Sequence, residues 1–102
     1  MTLKLYHKGY CRTIILYDEN YNELKRSNRT STTSTSGYLG ISYSCYSTDK
    51  FYVSYIGHPT TSSYWYKFEG WLDENLDILS TEKLYNFTAL PYRATIYCNV
   101  SR

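Results

Sequence analysis

The chain has 102 residues and a formal net charge of +2, with 20% charged and 19% aromatic side chains. A chain of this length suits one domain that buries about two thirds of its unfolded surface, so it need not depend on disulfides to fold. The near-neutral balance makes no electrostatic case for nucleic acid, and no run approaches the roughly 18 apolar residues of a membrane helix.

Tyrosine supplies 14 of the residues, while Leu, Ile and Val are scarce. Such a core relies on rings whose polar tips must reach water or a partner. With abundant Ser and Thr, the bias favours a pleated, half-buried surface over helix. The segment from Met1 to Cys11 lacks the apolar core of a signal peptide, so none is expected in this numbering.

Thr2–His7 reads as a strand, with Leu3 and Leu5 in phase, and Lys8-Gly9-Tyr10 as a turn. Cys11–Asp18 is apolar on both faces from Thr13 to Tyr17, which predicts an interior strand. Asp18-Glu19-Asn20-Tyr21-Asn22 has turn chemistry, because Asp and Asn bond nearby backbone and tolerate left-handed geometry. Glu23–Ser27 returns as the second arm of that hairpin. Asn28–Gly37 is a polar Ser/Thr-rich segment with no apolar residue, expected as a loop or as an exposed polar ribbon.

Tyr38–Tyr46 alternates with Ile41, Tyr43 and Cys45 on one face. Lys50–Ile56 does so with Phe51, Val53 and Tyr55, and the two segments read as a second hairpin around Ser47-Thr48-Asp49. Gly57–Thr61 is a loop. Ser62–Leu72 holds both tryptophans and reads as the central strand: Tyr64, Tyr66, Phe68 and Leu72 face the core, and Trp65, Lys67, Glu69 and Trp71 face the other way. Asp73-Glu74-Asn75 repeats Asp18-Glu19-Asn20, which predicts two analogous hairpin turns. Asp77–Tyr85 is ambiguous, with a helix-start look at Ser80–Lys83. Tyr92–Val100 alternates cleanly, with Tyr92, Ala94, Ile96, Cys98 and Val100 inward. Residues 1–102 are thus expected to form an all-β domain, a small antiparallel sandwich or barrel of about seven to nine short strands.

The face made by Trp65, Lys67, Glu69 and Trp71 is the candidate binding surface, since exposed aromatics between polar groups can stack on sugars, bases or protein. Its plainer reading is the second side of a buried strand. Cys45 and Cys98 lie in apolar phases, as buried thiols or as a bridge between facing strands; a bridge through Cys11 is less expected. Neither His7 nor His58 belongs to a metal-ligand motif, so no metal or cofactor is expected. The acids Asp18, Glu19, Asp49, Asp73, Glu74 and Asp77 sit at turns and are better read as turn formers than as a glycosidase pair. Three Asn-x-Ser/Thr triplets, at Asn28, Asn86 and Asn99, hint at a glycosylated, extracellular chain, where chance alone would give about one or two; an extracellular or virion setting is expected.

Ser44–Tyr46 followed by Ser63-Tyr64-Trp65-Tyr66-Lys67 and Trp71 resembles part of the small β-sandwich bacteriocins of the lactococcin type. The likeness spans less than half the chain, the histidine pattern of that family is missing, and no residue role carries over. Without a catalytic set, the expected function is a non-catalytic structural or protein-interaction module, a self-assembling subunit of a virion, fibre or surface structure. Two alternatives stand beside it: a carbohydrate-binding module, and a small secreted toxin or inhibitor that docks onto a target. The expected partner is another copy or another protein, with glycan as the further option.

Overall fold

The computed structural model describes residues 1–29, 33–57 and 66–102. The strands are β1 (Thr2–Gly9), β2 (Thr13–Asp18), β3 (Glu23–Asn28), β4 (Thr35–Ser44), β5 (Lys50–Ile56), β6 (Lys67–Leu72), β7 (Ile78–Ser80), β8 (Leu84–Thr88) and β9 (Thr95–Ser101). They form a five-stranded sheet in the order β4-β1-β9-β6-β7 and a four-stranded sheet in the order β3-β2-β5-β8. The all-β sandwich is the architecture the alternation implied. All named neighbours are antiparallel except β1 and β9, which run parallel from Lys4↔Thr95 to Gly9↔Val100.

The core lies between the sheets and mixes both inner faces. Leu3, Leu5, Ile41, Trp71, Ile96, Cys98 and Val100 come from the first sheet; Ile14, Leu16, Phe51, Val53, Tyr55 and Phe87 come from the second. Rings fill the space that aliphatics would occupy: Tyr55 stacks on Phe68 at 5.0 Å, and Phe51 on Phe87 at 5.7 Å. Strand β2 is interior in its sheet, flanked by β3 and β5. Its outward Ile15, opposite Arg26 and Ser54, is only 1% exposed, which accounts for the apolar run on both faces.

Four expectations are corrected. Tyr38–Tyr46 and Lys50–Ile56 are not hairpin partners: β4 pairs with β1 and β5 with β2, so the link between them crosses from one sheet to the other. Local alternation specifies a face but not a neighbour. The central strand of the first sheet is β9, with β6 beside it. Ser80–Lys83 has no helix; it joins the short edge strand β7 to β8. Tyr92 is exposed, because Arg93 N bonds Leu90 O at 2.9 Å in a turn that delays the final strand to Thr95. The polar segment at 28–37 is divided: Asn28 ends β3, Thr35–Gly37 open β4, and residues 30–32 lie outside the described residues.

The two Asp-Glu-Asn turns share one geometry. Asp18 Oδ1 accepts from Asn20 N at 2.8 Å and Asn22 N at 2.9 Å; Asp73 Oδ1 accepts from Asn75 N at 2.8 Å and Asp77 N at 3.0 Å. The fourth residue of each is left-handed, Tyr21 at φ 64° and Leu76 at φ 66°.

Candidate functional site

The expected binding face does not survive intact. Phe68 pairs with Val100 and Trp71 with Cys98, and between these pairs β6 carries one residue more than β9. This β-bulge returns Phe68 and Trp71 to the same inner face although they are three apart in sequence. Trp71 is fully buried, its ring edge-on to Phe68 at 5.5 Å, and its indole Nε1 donates to Glu82 O at 2.7 Å. The strict period of two that put Trp71 outside fails at Gly70, whose φ is 139°. Only glycine suits this conformation, and a Cβ there would stand 2.7 Å from Ser80 O. An isolated glycine within a strand pattern is the signal that could have placed the bulge. Leu72 then falls opposite Tyr97, on the phase opposite Cys98, rather than in line with Phe68.

Lys67 and Glu69 are where they were expected, outside. Glu69 Oε1 accepts from Ser101 Oγ at 2.6 Å and lies 4.0 Å from Lys67 Nζ. Trp65 and His58 lie outside the described residues. The four residues proposed as one surface therefore do not form one.

Among the described residues, the sandwich is closed along one side and open along the other. At the closed side β3 meets β4: Lys25 Nζ donates to Ser42 O at 2.8 Å, and His7 Nε2 lies 2.8 Å from Ser27 Oγ across the sheets. A bulge on β4 leaves Gly40 without a partner on β1. A Cβ at Gly40 would stand 2.6 Å from His7 Nε2 and 2.7 Å from Ser27 Oγ, so its bareness makes room for that bridge.

At the open side the edge strands are β7 and β8. A cleft of about 380 Å³ enters the core there, with Leu79, Tyr85, Phe87 and Ile96 among its apolar lining and Lys50 and Arg93 as its cations. Burial raises the Tyr85 hydroxyl above the usual phenol range, partly offset by Arg93. Around this side large apolar side chains stand in solvent, with Ile78 64% exposed, Tyr92 71% and Leu84 45%. None of these residues was expected at a binding surface: Ile78, Leu79, Leu84 and Tyr85 fall in the ambiguous stretch, and Tyr92 and Ile96 were expected inside. A second cleft of about 380 Å³ has the acids Asp18, Glu19 and Asp49 beside Tyr43 and Tyr46. Asp18 and Asp49 are engaged as turn acceptors, Asp49 Oδ2 taking Tyr46 N at 2.9 Å.

The cysteines are free thiols, all buried. A Cys45–Cys98 bridge is ruled out by register. Ser44, next to Cys45, sits opposite Thr2, whereas Cys98 sits opposite His7. That separation is roughly 20 Å at strand rise, against a Cα separation of about 7 Å at most for a disulfide. The thiol beside Cys98 is Cys11, to which it is hydrogen-bonded. Cys11 N bonds Lys8 O at 3.3 Å, folding the chain back so that Cys11 O reaches His7 Nδ1 at 3.3 Å. A carbonyl only accepts, so Nδ1 carries a proton. No cluster of His, Cys, Asp or Glu among the described residues could hold a metal.

Compared with family models, curated proteins and solved structures, the chain matches none.

Proposed function

We propose that the chain is a non-catalytic β-sandwich module that assembles with further copies of itself through its open side, as a subunit of a larger structure. The observation that carries this reading is the apolar surface at β7 and β8, where Ile78, Leu84 and Tyr92 are exposed around a cleft floored by Tyr85 and Phe87. An unpaired sheet edge is a template for an added strand, and an adjoining apolar pocket gives such a strand its side-chain specificity. Tyrosine adds large, rigid contact area at low entropic cost.

Light scattering across a concentration series tests the proposal. The expected result is a mass above the monomer that falls to the monomer in an Ile78→Lys, Leu84→Lys double variant. A strict monomer at high concentration overturns it. The carbohydrate reading used Trp65, Trp71 and nearby tyrosines, and the burial of Trp71 takes one of those rings from it.

A further inference from the structure

We propose that Cys11 and Cys98 are a disulfide-forming pair that ties the β1–β2 crossover to the central strand β9, with Cys45 left as the unbridged thiol. The backbone geometry brings the two together. Gly9 pairs with Val100, and Tyr10 N bonds Val100 O at 2.8 Å, so the chain leaves β1 alongside β9. It then folds back at Cys11, toward the inner face where Cys98 lies opposite His7. Both thiols belong to the same buried cluster as Tyr55 and Trp71.

The surroundings give the two sulfurs different roles. Burial disfavours the Cys11 thiolate. The Cys98 hydrogen bond, the His7 ring and the Arg29 guanidinium outweigh it and bring Cys11 down to about 7. Arg29 Nη1 is itself buried without a hydrogen-bond partner among the described residues. Burial pushes Cys98 well up, and its hydrogen bond to Cys11 adds to this. Cys11 is therefore the attacking thiolate and Cys98 the resolving thiol. Cys11 also lies in a connection rather than in a strand, so it is the partner that can swing out to meet a reagent.

The oxidant is a low-molecular-weight disulfide such as glutathione disulfide. The Cys11 thiolate attacks one of its sulfurs, its S–S bond breaks, and one glutathione thiolate leaves and takes up a proton. The Cys98 sulfur then attacks the Cys11 sulfur of the mixed disulfide. The second glutathione leaves with the proton that Cys98 gives up. Two cysteine thiols are oxidised and one glutathione disulfide is reduced to two thiols. Because both sulfurs are buried, the exchange occurs during folding or while the 10–12 connection is open.

Refolding the full chain from denaturant in a glutathione redox buffer, followed by alkylation and peptide mapping, tests the pair. The expected product is a Cys11–Cys98 linked peptide pair with a single alkylated thiol at Cys45, and a melting temperature that falls on adding dithiothreitol. A Cys45→Ser variant keeps the linkage and has no alkylated thiol. Three alkylated thiols after refolding overturn the proposal, as do a bridge that includes Cys45 and a glutathione retained on Cys11.

Discussion

The indole of Trp71 and the backbone carbonyl of Glu82 are joined at 2.7 Å, linking β6 of the five-stranded sheet to the strap between β7 and β8. One side chain therefore fills the core and also pins the edge. Trp71→Ala is expected to lower stability by about 3–5 kcal/mol through cavity formation, a large share of the roughly 5–15 kcal/mol available to a domain. Trp71→Phe keeps a ring but strands the Glu82 carbonyl, at about 1–3 kcal/mol. Urea unfolding of both variants gives the two values, and a Trp71→Phe variant as stable as the wild type would show that the hydrogen bond contributes nothing.

Gly70 is the residue that lets Trp71 turn inward. At φ 139°, with Ser80 O where a Cβ would project, Gly70→Ala meets both strain and a clash. Its backbone cost alone is about 1–3 kcal/mol. The expected outcome is a lowered melting temperature together with a red-shifted tryptophan emission, because the bulge reorganises and Trp71 is wetted. A variant with wild-type melting would show that the bulge tolerates a side chain.

The twin turns separate backbone strain from side-chain packing. Leu76 and Tyr21 share a left-handed conformation, but Tyr21 stacks on Tyr52 with ring centroids 4.2 Å apart. Leu76→Gly relieves a left-handed penalty of roughly 1–2 kcal/mol and adds unfolded-chain freedom of about 0.5–1 kcal/mol. It is expected to stabilise slightly. Tyr21→Gly gains the same relief but loses a ring pair of about 0.5–1.5 kcal/mol, leaving it neutral or destabilised. Denaturant midpoints for the two single variants make the comparison, and the opposite ranking would refute it.

The Asp18 turn is acid-sensitive. Hydrogen bonds from the backbone and side chain of Asn22 hold the Asp18 carboxyl below the ordinary carboxylate range. A depressed acid contributes stability above its unfolded value and loses it as pH falls through the lower, folded value. The β2–β3 hairpin is therefore expected to weaken at the acid end, and Asp18→Ala to flatten that part of the profile. Carboxyl titration by NMR with urea unfolding across the acid range checks both. A carboxyl that titrates at or above its ordinary value would contradict it.

Much of the fold was legible because strands with one buried face announce themselves by alternation. Leu3 and Leu5, Phe51 and Val53, and Ile96, Cys98 and Val100 all landed inside as their period implied. Pairing was not legible: β4 and β5 look like hairpin arms and lie in different sheets, since nothing local distinguishes a tight turn from a crossover. The candidate site was lost at one residue, the bulge at Gly70, which reversed the phase of everything after it. The open edge was missed because β7 is three residues long, too short for periodicity to register.

The parallel pairing of β1 with β9 sets the order in which this molecule can be made. Lys4 and Thr95 are neighbours, although nearly the whole chain separates them. Until residues 95–101 have left the ribosome, β1 lacks one of its two flanking strands and the five-stranded sheet lacks its middle. Long-range closure of this kind is slow, on the order of milliseconds to seconds. The nascent chain meanwhile carries exposed rings and unpaired edges, the state most open to chaperones and to contact with sister chains. Strand β9, far along the chain from β1, is the keystone of the first sheet.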